Sequence, residues 1–196
     1  ILIAAGANRR KLEIPGASEF HQKGLTYSAS CDGPLFADKE VVVVGGGNAG
    51  FETAGQLLAY TKSVTLLLRS PQFKADQIIV AKLLKNPRFK ALTNAEPTII
   101  KGDKFVKAVE YKNKETGEIS EIPAEGVFVE IGLIPNTDFV KDIVETNQYG
   151  AIVIDPATKK TKTPGIWAAG DCTNALYHQN NIAAGDAITA IEDIYV

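Results

Sequence analysis

The hexapeptide Gly45-Gly46-Gly47-Asn48-Ala49-Gly50 places three glycines at the spacing G-x-G-x-x-G, and each has its own physical task. Gly45 permits a tight turn out of a preceding strand. Gly47 lets the main chain approach a pyrophosphate where a Cβ would clash, and Gly50 lets the following helix pack closely on the sheet. Phosphates would rest at the helix start, on the N–H groups of Asn48 and Ala49 and the positive end of the helix dipole. The competing reading is a glycine-rich structural turn, and the flanking elements favour dinucleotide binding. An acidic residue about 20 positions on, the usual acceptor for a ribose 2′-hydroxyl, is missing. Leu68 stands there, followed by Arg69 and then Lys74. Cations in this loop suit a 2′-phosphate, which slightly favours NADPH over NADH, with a solvated basic loop as the alternative.

The elements that must position these residues are legible on both sides. Val41-Val42-Val43-Val44 is an apolar, β-branched run of the kind buried on both faces of a parallel sheet. Phe51, Ala54, Leu57 and Leu58 recur at helical spacing, and Ser63 to Leu68 is again strand-like, giving β-α-β within about 30 residues. Before Glu40, scattered Pro and Gly predict one short strand at Ile1 to Ala5 and then connecting segments. Lys74 to Lys85 fits a helix stopped by Asn86-Pro87. Between Ala91 and Ile122, the alternation in Val106, Val109 and Tyr111 with a turn at Gly117 predicts an antiparallel meander. Val127-Phe128-Val129-Glu130-Ile131 predicts another buried strand, broken at Gly132. After Asn147 come Ala151-Ile152-Val153-Ile154, then Gly165 to Asp171, then an apolar helix from about Asn181 to Tyr195.

Composition narrows the function classes. The 196 residues are 45% hydrophobic, and 21 basic against 23 acidic side chains leave a net charge of -2. That balance gives no electrostatic reason to expect nucleic acid or an anionic membrane as partner, so a small ligand is favoured. No apolar run reaches the roughly 18 residues of a membrane span, and the start lacks the layout of a secretory signal, so a soluble, cytoplasmic protein is expected. Cys31 and Cys172 are too few and too far apart for a disulfide scaffold or a zinc cage, and no structural metal is expected. With no methionine, the chain is expected to be a fragment or a processed product. His21 reads as a surface residue, and Trp167 as core.

Five blocks carry a family resemblance: Ser28-Ala29-Ser30-Cys31-Asp32-Gly33-Pro34-Leu35-Phe36, the glycine hexapeptide, Lys74-Ala75-Asp76-Gln77, Gly132-Leu133-Ile134-Pro135-Asn136-Thr137 and Gly170-Asp171-Cys172-Thr173. In this order they resemble the thioredoxin reductase-like pyridine nucleotide-disulfide oxidoreductases, most closely the flavoprotein subunit of alkyl hydroperoxide reductase. The resemblance implies an α/β fold, with a Rossmann-like doubly wound nicotinamide-binding domain (16–133) inserted into a partial FAD-binding domain (1–15 and 134–196). It implies FAD and NADPH or NADH as cofactors, a hydride passed to the flavin, and electrons passed on to a thioredoxin-like or peroxiredoxin-type protein. A homodimer is implied for the complete protein. The family's first FAD-binding segment would precede Ile1.

By the same resemblance, Gly132, Gly170, Asp171 and Gln179 join the cofactor-binding set. Asp171 would bond the ribityl chain, and the main chain after Gln179 would approach the isoalloxazine. Taken alone, Gly170-Asp171 reads as a helix N-cap or turn; by the resemblance, in which Tyr177-His178-Gln179 falls where the family has an aromatic, a base and a glutamine, His178 is a polar substitute at a domain edge. The family's redox pair falls on Ser28 and Cys31, with Asp32 as the proton donor that follows. Dithiol exchange needs two sulfurs, and Ser28 supplies a hydroxyl instead. Three readings of Ser28 stay open: an engineered replacement, a member without disulfide activity, or a member serving another acceptor. Two rivals to the enzyme reading are a nucleotide-binding module without turnover and a purely structural partner subunit.

Overall fold

The computed structural model describes residues 1–195. Its strands are β1 Leu2–Ile3, β2 Ala7–Arg9, β3 Leu25–Thr26, β4 Glu40–Val44, β5 Ser63–Leu67, β6 Phe89–Leu92, β7 Ala95–Gly102, β8 Val106–Asn113, β9 Ile119–Pro123, β10 Gly126–Val129, β11 Leu133–Pro135 and β12 Trp167–Ala168. The α-helices are α1 Ala29–Asp32, α2 Asn48–Leu57, α3 Gln77–Leu84 and α4 Asn180–Tyr195. They fall into two compact units, one of Lys11–Ile131, the other of Ile1–Arg10 with the residues from Gly132 onward.

The Lys11–Ile131 unit is built on a parallel sheet of order β3-β10-β4-β5-β6. The valine run of β4 lies at its centre, no more than 4% exposed at any of the four positions. Successive side chains point to opposite faces, so both faces must be covered for such a run to be stable. Val41 and Val43 pack with Phe51, Ala54 and Leu57 of α2 and with Val80 and Leu83 of α3. Val42 and Val44 pack with Ile100, Val106 and Val109 of the antiparallel meander β7-β8-β9, a cluster that Leu12 and Ile14 also join. The meander turns at Gly117, where φ is +77°. Helix α3 starts at Gln77, three residues later than periodicity predicts. The Asp76 carboxylate accepts the Ile78 N–H at 2.7 Å and ends the preceding loop there.

The other unit pairs β1 with β12 in parallel and β2 with β11 antiparallel. Its core gathers Ile3, Val140, Val144, Ile152, Ile154, Ala168 and Cys172. Asn136 laces it together: its side chain donates to the Ala5 carbonyl at 3.0 Å and accepts from Asn8 at 2.8 Å. Three short strands lie before Glu40 where periodicity predicts one. Runs of two or three residues have no period, and their partners lie far along the chain. Among the described residues no helix is long and apolar enough to cross a membrane.

In the meander, Glu110 and Glu121 are direct cross-strand neighbours, an arrangement that like charges oppose. Lys101 lies between them, 2.9 Å from Glu110 and 2.8 Å from Glu121. Its bonds to Glu121 and then Glu110 push its pKa up to about 12 from 10.5. A raised ammonium pKa stabilises the fold fully below about pH 10.5, and the contribution fades as pH rises through about 12. Lys101→Met is therefore expected to lower the urea midpoint at pH 8, with the gap to the unsubstituted protein narrowing as pH approaches 12. Urea titrations across that range check it.

Candidate functional site

The chain leaves β4 at Val44 and turns at Gly45, where φ is +133° and the N–H donates to the Leu67 carbonyl at 2.9 Å. A Cβ on Gly45 would lie 2.1 Å from the Glu130 carbonyl oxygen at the end of the β10 segment. On Gly50 it would lie 2.0 Å from the Gly45 carbonyl oxygen, so the first turn of α2 rests directly on the glycine turn. Gly47 is different, because no atom lies within 4 Å of the Cβ it lacks. It is the N-cap of α2, in extended conformation, and offers no side-chain oxygen to the first-turn N–H groups that include those of Asn48 and Ala49. Open space over an uncapped helix start fits a pyrophosphate.

Asn48 turns its side chain away from its own helix. Its Oδ1 accepts the Asp76 N–H at 2.8 Å, and the Lys74 N–H donates to the Gly46 carbonyl at 3.1 Å. These two bonds hold residues 69–76 beside the glycine turn. Arg69 and Lys74 thereby join Gly45, Gly47, Asn48, Ala49 and Gly50 in one cluster, both exposed and outside any ion pair among the described residues. Leu68 is only 3% exposed and lies under Gly46, whose absent Cβ would come within 2.6 Å of it. A carboxylate at this position would be buried without water, so the first solvent-facing side chain after β5 is the guanidinium of Arg69. Sequence reasoning passed over one contact, Thr53 Oγ1 donating to Glu130 Oε1 at 3.0 Å. Its only signal was an acid inside the apolar run 127–131.

Ser28, Cys31 and Asp32 come together in one turn of the same unit. Ser28 is the N-cap of α1, and its Oγ accepts the Cys31 N–H at 3.4 Å. The Asp32 carboxylate accepts a hydrogen bond from the Thr26 hydroxyl, which in turn accepts the Ser28 N–H at 3.3 Å. Cys31 is exposed and its thiol is free. Cys172 is buried in the core of the other unit, its Sγ donating to the Ala169 carbonyl at 3.3 Å. The thiols thus lie in different units.

In the unit that holds α4, Gly170 has φ +74° and a Cβ there would come within 3.1 Å of the Ala183 Cβ, so α4 packs on this turn. The Asp171 carboxylate lies 3.4 Å from His178 Nδ1. Gln179 is exposed, and its carbonyl accepts the Ala183 N–H at 2.9 Å at the start of α4. Gly170, Asp171 and Gln179 therefore share one edge of this unit, with a part-exposed carboxylate and amide able to bond a polar ligand. Gly132 stands apart from them. It is exposed at φ +99°, and its carbonyl accepts the Arg10 N–H at 2.9 Å. Trp167 is half-buried and donates from Nε1 to Asp193 at 2.8 Å, a structural contact.

The sequence pattern of the pyridine nucleotide-disulphide oxidoreductases matches residues 1–189. An "NADH dehydrogenase" of Bacillus subtilis (strain 168) is 41% identical over 190 residues, 97% of this chain and 37% of that protein. An alkyl hydroperoxide reductase polypeptide of Escherichia coli (strain K12) is 43% identical over 191 residues, 97% of this chain and 36% of that one. The chain thus spans little more than a third of the length of these relatives. Among solved structures, thioredoxin reductase of Lactococcus lactis superposes with a TM-score of 0.88 at 39% identity, covering 100% of this chain and 64% of that one. The T. acidophilum thioredoxin reductase gives 0.87 at 38%, covering 99% and 64%. The chain belongs to the pyridine nucleotide-disulphide oxidoreductase family.

Proposed function

We propose that residues 16–133 form an NAD(P)H-binding domain, and that residues 1–15 and 134–196 contribute the late part of an FAD-binding domain in an oxidoreductase. The family uses FAD and NAD(P)H. The observation that carries the reading is the bare, uncapped start of α2 at Gly47. In this proposal the first-turn N–H groups of α2 clasp the pyrophosphate, while Gly45 and Gly50 hold helix and strand close enough to aim them. Arg69 and Lys74 meet the 2′ end of the adenosine. Gly132, Gly170, Asp171 and Gln179 serve the flavin, with Asp171 accepting from its ribityl hydroxyls. The chemistry, a hydride passed from dihydronicotinamide to flavin, belongs to the cofactors when bound.

Two readings of the terminal acceptor differ in what they ask of Ser28. Relatives named for thioredoxin reductase and alkyl hydroperoxide reductase support a thioredoxin-like or peroxiredoxin-type protein as acceptor. Disulfide exchange through this turn needs a second sulfur, and the hydroxyl at Ser28 is occupied as a helix cap. That observation favours a second reading, a flavin-dependent reductase whose acceptor is not a disulfide. A cytoplasmic homodimer remains part of the proposal for the complete protein.

Calorimetric titration of the chain with NADH and NADPH separately is expected to show binding of both, tighter for NADPH. Arg69→Ala with Lys74→Ala should narrow the difference, and negligible heat from both nucleotides would overturn the assignment. Two glycine variants separate binding from folding. Gly47→Ala is expected to leave stability within about 0.5 kcal/mol and to weaken nucleotide binding by roughly tenfold or more. Gly50→Ala puts a methyl against a carbonyl and should destabilise the fold by about 1–3 kcal/mol, as read by urea denaturation.

Residues three apart at a helix start have α-carbons about 5 Å from each other, within the roughly 4.4–6.8 Å that a disulfide spans. In the complete protein, Ser28→Cys is expected to add a thiol pair that closes on mild oxidation and to raise disulfide reductase turnover from background. Thiol counts before and after oxidation, read with turnover, check it.

A further inference from the structure

Lys159 and Lys160 are adjacent in sequence, yet both ammonium groups reach acids on the same helix. Lys159 Nζ lies 2.9 Å from Asp186 Oδ1 and Lys160 Nζ lies 2.8 Å from Asp193 Oδ2. Neighbouring side chains in an extended segment project to opposite sides, so the backbone has to depart from extension for both to face α4. It does so at Lys159, where φ is +62°, a conformation few residues with a Cβ adopt. Asp186 and Asp193 are two helical turns apart and so share a face of α4.

The two contacts differ in character. The inner pair is nearly dry, with side chains 13% and 11% exposed, and the outer pair is wetter at 51% and 20%. Lys160 and then the Trp167 Nε1–H hold the Asp193 carboxyl below its usual range. Asp186 Oδ2 is buried with no hydrogen-bond partner among the described residues. An incompletely satisfied buried pair at a strained backbone position is a poor source of net stability, because dehydrating both charges opposes their attraction. Its effect is to select one placement of the helix. The lysines are themselves anchored to β12: Lys160 bridges to Trp167, and the Ala168 N–H donates to the Lys159 carbonyl at 3.0 Å. Two residues beyond β12 the chain makes the Gly170-Asp171 turn.

We propose that Lys159 and Lys160 are positioning residues, a two-point ionic clamp on α4 that sets where Gln179 and Asn180 stand relative to the Gly170-Asp171 turn. The clamp's bearing on flavin rests on the reading above, in which that turn and the start of α4 meet the cofactor. It acts through these groups and touches no cofactor itself.

Lys159→Gly is the informative variant, since glycine accepts φ +62° and the ion pair is removed, with the rest of the side chain, at no backbone strain. Asp186→Asn removes the opposing charge. In the complete protein, each is expected to speed amide exchange in α4 and to weaken FAD binding, both by roughly tenfold or more. NADPH affinity should stay unchanged and the visible band of bound flavin should shift. The two substitutions combined should cost less than the sum of the singles. Lys160→Gln and Asp193→Asn act on the wetter contact and should move both readouts less in the same direction, which keeps the test decisive if the inner variants fold poorly. Unchanged exchange in α4 across all variants that fold overturns the clamp, and faster exchange with unaltered FAD affinity overturns its positioning role. If the unsubstituted complete protein binds no FAD, the flavin reading fails instead, and exchange alone decides the clamp.

Discussion

Main chain packed on main chain where β4 meets α2 is the constraint from which the proposed nucleotide site follows. The Glu130 carbonyl presses on the α-carbon of Gly45, and the Gly45 carbonyl presses on that of Gly50. A methyl at either point would sit about 1 Å or more inside van der Waals contact, against main-chain carbonyls of the residue after β10 and of the glycine turn, which have nowhere to go. Strand, turn and helix are therefore locked at one distance. The start of α2 has a fixed aim because its support is rigid, and Gly47 can stay bare because neither packing nor capping demands a side chain there. The Thr53–Glu130 bond adds a second tie between helix and strand end on the same side.

Around that frame, in the proposed reading, specificity is delegated to a loop with little structure of its own. Residues 69–76 keep their place through bonds to Asn48 and Gly46, parts of the glycine turn itself. The glycine turn and the loop carrying Arg69 and Lys74 are thus organised by the same few atoms. Leu68 shows the cost of this economy: packed beneath Gly46, it cannot be exchanged for a carboxylate without burying a charge. The first exposed polar side chain is displaced outward to Arg69, where a cation is solvated at little cost.

What the sequence made legible tracks the range of the forces involved. The Val41–Val44 run, the glycine spacing and the helical period of Phe51, Ala54 and Leu57 are local patterns, and the elements stand where those patterns put them, as does most of α4. Periodicity starts α3 too early because Lys74 to Asp76 continues an acceptable helical composition, and only the Asp76 carboxylate decides otherwise. Strands β2 and β11 were invisible because their pairing joins residues more than a hundred positions apart, helped by Asn8 and Asn136. The ion pairs of Lys159 and Lys160 depend on a left-handed residue and on a distant helix. No spacing rule announces either.

Ser28 shows how a single atom divides structure from chemistry. As the N-cap of α1, an oxygen is well suited: it is a stronger hydrogen-bond acceptor than a sulfur, and it satisfies the Cys31 N–H that the helix start would leave open. The surrounding contacts are consistent with that role, since Thr26 bonds both the Ser28 N–H and the Asp32 carboxylate. The turn is therefore held by hydrogen bonds that require no second sulfur. Exchange with a disulfide depends on forming a thiolate beside a resolving partner, and in the proposed reading a hydroxyl in place of that partner removes the step while leaving the scaffold whole. On the proposed reading, fold and nucleotide recognition persist with such a turn while the route for electrons beyond the flavin changes.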